Sequence, residues 1–420
     1  MSEGAVARRR RARVAATGLA LLMAATTACS SGGGGGGVAG GGQYGGAGQT
    51  TPAPPAAHVV VAPGAGARDV ALATPVTVTT PDGTLSSVRL VSPAGKVVKG
   101  SLSGDKTSWR SNELLGYAKT YTVTAVAKNA QGTSSQTVSR FSTVTPANLT
   151  MPSFGALERG GTFGVGMPVT VHFDEPIPDR ATAERSLEIS TSPRAVGSWS
   201  WIDSQNVHWR PKVSSGHYWK PGTKITVKVK VYGVALGRGL YGQADKSVSF
   251  TIGRSQLAII NDATHMMTVY INGKVARKIP VSMGRGGWIR VGGNTIDFWT
   301  RSGPHVVLEK YPVKEMSSES YGLPISSPLG YKEKIPLAVR ISGGGEFVHA
   351  ASWSVADQGY QNVSHGCVNI SPANADWFYS TFRYGDIVDI RGTARELALT
   401  DGLGDWTLSW AQWVKGSALN

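Results

Sequence analysis

From residue 58 to residue 253 the chain alternates apolar and polar positions in short runs, with almost no helical period. Tyr121-Thr122-Val123-Thr124-Ala125-Val126 and Ile225-Thr226-Val227-Lys228-Val229-Lys230-Val231 are the clearest of these. Period-two alternation sends successive side chains to opposite faces, so each run predicts a strand with one face in a core and one in water. Asp82-Gly83 and Gln131-Gly132 supply turn chemistry between runs. Two stretches, 58–146 and 147–253, echo each other. Each holds a Pro-Val-Thr-Val run (from Pro75 and from Pro168), a Trp-Arg pair (Trp109-Arg110, Trp209-Arg210) and a closing run centred on Phe141 or Phe250. A repeat with loop insertions accounts for the echo. Short alternating strands on this scale predict two immunoglobulin-like β-sandwiches, with both tryptophans in their cores.

A third domain, 254–391, continues the strand pattern. Asn272-Gly273 between Met266–Ile271 and Lys274–Ser282 predicts a tight hairpin. One helix is expected over Pro372–Phe382, with Ser371 as N-cap and Pro372 as first helical residue. In the tail, 392–420, Trp406, Trp410 and Trp413 share one face of any helix they form. They are expected to dock the tail onto the third domain. The fold class is therefore mainly β.

Charge and composition bear on location. Arg8 to Arg11 and Arg13 precede the apolar run Val14 to Ala28. That run is shorter than the roughly 20 residues a membrane span needs, and it predicts a bacterial export signal over 1–29. Thr26-Thr27-Ala28-Cys29 resembles a lipobox, which implies a lipid on Cys29 and a protein anchored to the outer face of the plasma membrane. Residues 30–57 are rich in Gly, Ser, Thr, Ala and Pro, the composition of a disordered tether. The net charge is +15, and loss of the five signal arginines and Glu3 still leaves about +11. Export excludes nucleic acid and favours an anionic wall polymer as neighbour. The chain has 2 cysteines. With Cys29 carrying lipid, Cys367 is a lone thiol.

The densest chemistry is Ser364-His365-Gly366-Cys367-Val368-Asn369. A thiol nucleophile needs a base, a group that orients the base, and donors for the oxyanion. Two histidines qualify by position. His365 lies on the same side of an extended segment as Cys367, and His349 ends the strand-like Glu346-Phe347-Val348 and reaches across from a neighbouring strand. Sequence geometry leaves both open. No His/Cys/Asp/Glu spacing suits a metal, and neither metal nor cofactor is expected. His265 and His305 belong to no motif and are expected to be structural.

His349, 14 intervening residues, then Ser364-His365-Gly366-Cys367-Val368-Asn369 resembles the signature of the L,D-transpeptidases, the family with the YkuD-type catalytic domain. Trp353-Ser354-Val355, Gln358-Gly359-Tyr360, Ser371-Pro372-Ala373-Asn374-Ala375 and Asp401-Gly402-Leu403-Gly404-Asp405-Trp406 resemble its actinobacterial branch. The resemblance implies that Cys367 is the nucleophile and His349 its base. Ala350, where the family often has Ser, is implied to hold the imidazole through its carbonyl. Tyr331 and the N–H groups of Gly366 and Cys367 become oxyanion candidates, with His365 and Ser364 in support. Gly344, Gly345, Asn369, Met316, Trp353 and Tyr331 are implied to line the substrate.

The same resemblance implies the reaction. Cys367 attacks the diaminopimelate carbonyl of a peptidoglycan tetrapeptide stem and releases D-Ala. The acyl group then passes to a second stem's diaminopimelate amine. Carbapenems are implied as covalent inhibitors. An L,D-carboxypeptidase using water, or a non-catalytic wall-binding scaffold, are the alternatives. The two sandwiches are expected to serve mainly as a stalk.

Overall fold

The computed structural model describes residues 55–420. The expected export signal, Cys29 and the glycine-rich tether up to Pro54 lie outside the described residues.

Each of the first two domains is a pair of four-stranded sheets. In the first, one sheet runs in the order Val60–Ala62, Thr77–Thr79, Ser108–Ser111, Gly100–Leu102. The other runs Val97–Val98, Gly83–Val91, Thr120–Asn129, Ser134–Ser142. In the second domain the orders are Pro152–Ser153, Val169–Phe173, Asn206–Pro211, Gly197–Trp201 and Thr162–Phe163, Lys246–Ile252, Lys224–Val229, Leu187–Ser192. The sequence echo has a packing counterpart. Trp109 pairs across strands with Val78, and Trp209 with Val169. Both indoles are buried. A Cβ at Gly100 would overlap the Trp109 ring, and one at Gly197 would overlap that of Trp209. Each glycine thus opens the space that its large neighbour fills.

The third domain carries a six-stranded sheet in the order Lys274–Pro280, Met266–Ile271, Gln256–Asn261, Ile387–Arg391, Arg301–Val306, Arg395–Glu396. A four-stranded sheet, Glu309–Ser317, Lys332–Arg340, Phe347–Ala350, Val368–Ile370, packs beside it. Asn272 and Gly273 both have positive φ, +50° and +78°, the requirement of the two-residue hairpin turn. The helix spans Pro372–Thr381, capped by the Ser371 hydroxyl on Asn374 N–H. Its Ala375 and Phe378 share a core with Val348 and Val368, which fixes the strands that carry the site.

The domains do not hang as separate beads. The Tyr117 hydroxyl of the first sandwich donates to the Gly242 carbonyl at 2.7 Å and accepts from Gly233 N–H at 2.8 Å. The core of the second sandwich takes in Val306, Ile387 and Trp406 from beyond residue 253. Gly164 and Gly166 donate to the carbonyls of Tyr384 and Gly385, at 2.8 Å each.

The tail corrects one expectation. Its first part does join the third domain, with Arg395–Glu396 pairing in parallel with Arg301–Ser302. Its tryptophans, however, dock on the second sandwich. Trp406 Nε1 donates to Gly166 O at 2.6 Å, and Trp413 Nε1 to Ser198 O at 2.9 Å. The buried Arg210 guanidinium lies 5.0, 6.0 and 4.7 Å from the ring centres of Trp406, Trp410 and Trp413. Burial lowers that guanidinium to about 10, with Asp405 opposing the shift. Three electron-rich ring faces supply the attraction that lost water would have given. The helix is a single turn, Trp410–Trp413, so the rings converge through the bend of the chain and not along a helical stripe.

Candidate active site

The site begins with strand register. Phe347–Ala350 and Val368–Ile370 run in parallel, with Val348 opposite Val368 and His349 opposite Asn369. The two valines are fully buried in the core. Alternation then turns Phe347, His349, Cys367 and Asn369 to the other face. Cys367 stands two residues before the partner of His349 on a strand about 4.8 Å away, which puts thiol and imidazole on neighbouring places of one surface.

The turn that presents Cys367 is held by backbone and hydroxyl groups. Gly366 takes φ +139°, a conformation that favours glycine. The Gly366 carbonyl accepts from Thr300 Oγ1 at 2.8 Å, and Ser364 N–H donates to Met283 O at 2.9 Å. Ser364 Oγ donates to the Cys367 carbonyl at 2.6 Å and accepts from Gly366 N–H at 3.1 Å. The last bond corrects the expectation that Gly366 N–H is an oxyanion donor, since that hydrogen already has a partner. The Tyr331 hydroxyl and Cys367 N–H remain as candidates.

His349 is 3% exposed, and its Nδ1 lies 3.0 Å from the Ala350 carbonyl. A carbonyl only accepts, so Nδ1 carries the proton and Nε2 keeps its lone pair. Burial pulls the imidazole down to about 4, against the opposing pull of the Ala350 carbonyl. Trp353, 57% exposed, stacks on it with ring centres 6.0 Å apart. Burial likewise pushes the Cys367 thiol up to about 12, with the Phe347 N–H opposing and Glu346 adding to the shift. Its Sγ also makes a weak contact, 3.8 Å to the Gly345 carbonyl. At neutral pH both groups are uncharged.

His365 is held differently. Its ring lies 5.2 Å from Phe298 and 5.1 Å from Tyr331, and its Nε2 is buried without a partner among the described residues. Burial and the nearby Arg285 charge lower its proton affinity. Tyr331 is pushed the other way, by burial above all, so its hydroxyl stays a donor.

Two cavities meet at Cys367, of about 540 and 290 Å³, and Met316, Tyr331 and His365 border both. The expected substrate residues divide between them. Gly344 and Gly345 line the larger, while Ser364, His349, Trp353 and Asn369 line the smaller. Ala350 lines neither and acts through its carbonyl. Asn369 donates to Ser354 Oγ at 3.1 Å, and its Oδ1 is buried without a partner among the described residues. His305, expected to be structural, lies buried with Nε2 3.1 Å from Glu346 Oε2.

Sequence reasoning missed the groups that hold the glycine loop of the larger cavity. Arg340 donates to the carbonyls of Ser342 and Gly343, at 2.9 and 2.8 Å. Asp401, from the tail, accepts the Gly344 N–H at 2.5 Å and lines the cavity. The loop so held carries the Gly345 carbonyl that touches Sγ. The run Asp401 to Trp406 stood out in the sequence by its resemblance to the actinobacterial branch, but nothing there tied Asp401 to residue 344. Asp401→Ala removes a charge-assisted acceptor and is expected to slow acylation of Cys367 about tenfold. Asp401→Asn, which keeps the oxygen, should recover most of the loss when acylation is followed by whole-protein mass. Equal rates for all three proteins would show that the loop holds itself.

Residues 255–390 match the family model of the L,D-transpeptidase catalytic domain, and residues 67–235 match that of a bacterial Ig domain. The chain is 41% identical over 354 residues to L,D-transpeptidase 2 of Mycobacterium tuberculosis (strain CDC 1551 / Oshkosh), covering 84% of this chain and 83% of that protein. To L,D-transpeptidase 5 of Mycobacterium tuberculosis (strain ATCC 25618 / H37Rv) it is 37% identical over 369 residues, 87% of this chain and 78% of that one. Among solved structures, LD transpeptidase LdtMt1 in complex with imipenem is 33% identical. It covers 55% of this chain and 94% of its own, with a TM-score of 0.45.

Proposed function

We propose, from the premise that this chain belongs to the L,D-transpeptidase family, that it cross-links peptidoglycan stems through a thioester on Cys367. Sγ attacks the carbonyl carbon of the third stem residue, diaminopimelate, while its proton passes to Nε2 of His349. With the thiol at about 12 and the imidazole at about 4, a free thiolate–imidazolium pair is disfavoured before substrate binds. Proton transfer and attack therefore proceed together. The Tyr331 hydroxyl and Cys367 N–H stabilise the oxyanion. Collapse breaks the amide bond, and D-Ala leaves as an amine with the proton from His349. The amine of a second stem then attacks the thioester, His349 takes the amine's proton, and the thiolate leaves as the protonated thiol.

The meeting of two cavities at a single sulfur carries this reading. A transfer between two stems needs donor and acceptor to approach one carbonyl from different sides, whereas hydrolysis needs room for water alone. Mass spectrometry after incubation with a disaccharide-tetrapeptide tests it. The expected product is a dimer lacking one D-Ala. Tripeptide alone would make the protein an L,D-carboxypeptidase and overturn the cross-linking assignment.

Two extensions follow from the same chemistry. A carbapenem offers a strained lactam carbonyl to the same thiol, and opening the ring leaves a stable acyl-enzyme. Export and a lipid on Cys29, read from the basic and apolar N-terminal segment, would hold the site at the outer face of the plasma membrane within reach of the wall. The two sandwiches then lift the catalytic domain toward its polymer.

A further inference from the structure

The hairpin formed by Trp288–Val291 and Asn294–Asp297 stands beside the larger cavity with two unlike faces. Register sets Trp288 opposite Asp297, Ile289 opposite Ile296, and Arg290 opposite Thr295. Directly opposed residues share a face, and successive ones alternate. Ile289 and Ile296 turn to one side, where Ile296 joins Phe298 and Leu323 in a small buried core. Trp288, Arg290, Thr295 and Asp297 turn to the other, and Thr295, Ile296 and Asp297 all line the cavity that ends on Cys367. Trp288 lies outside that lining but directly across the strand pair from Asp297, which belongs to it. Trp288 is 62% exposed, with the Arg290 guanidinium 5.8 Å from its ring centre.

We propose that Trp288, aided by Arg290, is a stacking platform for a sugar ring of the glycan strand from which the stem peptide hangs. The proposal rests on the peptidoglycan reading above and adds the part of the substrate that reading leaves unplaced. The reacting carbonyl belongs to the third stem residue, so the sugar-bearing end lies only about 10 Å of extended chain from Sγ. A cavity of about 540 Å³ is of the size that one drug-sized molecule fills. The stem occupies it, and the sugars lie at its rim. A pyranose offers an apolar face of C–H groups edged by hydroxyl and acetamido oxygens. An indole suits the face, and a guanidinium with five N–H donors suits the edge. The neighbours of Trp288 on this face, Arg290, Thr295 and Asp297, are polar. One ring among polar groups fits one sugar better than it fits a lipid surface or an apolar protein patch.

Two measurements test the platform. The first compares turnover of disaccharide-tetrapeptide with that of free tetrapeptide. Trp288→Ala is expected to raise KM for the sugar-bearing substrate about three- to tenfold with kcat unchanged, and to leave the free peptide unaffected. Trp288→Tyr, which keeps an aromatic face, should recover most of the loss. The second titrates the Cys367→Ala protein with a peptide-free oligosaccharide of alternating N-acetylated sugars by NMR, where Trp288→Ala should weaken binding by a similar factor. Equal losses on both peptide substrates would assign the ring to the peptide or to hairpin geometry and overturn the proposal. So would oligosaccharide binding that ignores the substitution. If the unaltered chain turned over neither substrate while Trp288-dependent sugar binding persisted, the transpeptidase reading would fail and the platform would stand.

Discussion

Cys367→Ala is expected to abolish turnover and to leave the protein at its unmodified mass after exposure to a carbapenem. The effect is larger than for any other single change because the reaction is covalent at that atom. Oxyanion donors and cavity walls survive the substitution, but no bond to the acyl carbon can form without Sγ. The fold should survive too. Sγ makes only weak polar contacts, 3.8 Å to the Gly345 carbonyl and one with the Phe347 N–H, and belongs to a half-buried residue. Losing it costs no more than about 1 kcal/mol, which thermal unfolding of both proteins can check. Cys367→Ser is expected to be inactive as well. A hydroxyl is a weaker acid than the thiol, and the base beside it is held at about 4. A covalent adduct on the alanine variant would sink the assignment of the nucleophile.

His349→Ala should slow acylation by about 10²–10⁴-fold, or roughly 3–5 kcal/mol in the barrier. The argument rests on orientation. The Ala350 carbonyl holds the Nδ1 proton, which leaves Nε2 as the acceptor on the face shared with Cys367. The pH profile gives a second check with a definite sign. An imidazole protonated below its pKa cannot accept the thiol proton, so acylation falls as pH drops. With His349 held at about 4, the acid limb belongs near pH 4 and the rate is flat through neutrality, since the thiol stays protonated up to about 12. Stopped-flow acylation by a carbapenem between pH 3.5 and 9 measures the profile. A steep fall near the ordinary imidazole value of about 6.5, or a His365→Ala loss far exceeding that of His349→Ala, would reassign the base.

Much of this architecture was legible in residue order, because its causes are local. Period-two alternation in Tyr121–Val126 and Ile225–Val231 became the strands Thr120–Asn129 and Lys224–Val229. Asn272-Gly273 made its hairpin, and Ser371-Pro372 opened its helix. The recurring Trp-Arg pair marked equivalent core strands of the two sandwiches. In the candidate site, the motif Ser364 to Asn369 singled out Cys367 and left two histidines in reach of it, and the resemblance to the family signature was what favoured His349 over His365. The helix Arg180–Arg185 escaped notice, since six residues are too few to show a 3.6 period.

What sequence alone determined, then, was which segments become strands and which side chains are buried. Each of these is written in short-range spacing and side-chain chemistry. Tertiary structure alone decided where the tail tryptophans go, which N–H of the nucleophile turn is already bonded, and that Asp401 reaches a loop 57 residues earlier in the chain. It also decided that two cavities open on one sulfur. Hydrophobic burial is non-directional, so three tryptophans announce that they will be covered without naming the surface that covers them. Hydrogen bonds across long sequence separations depend on which surfaces finally meet, and that choice belongs to the packing of the whole chain.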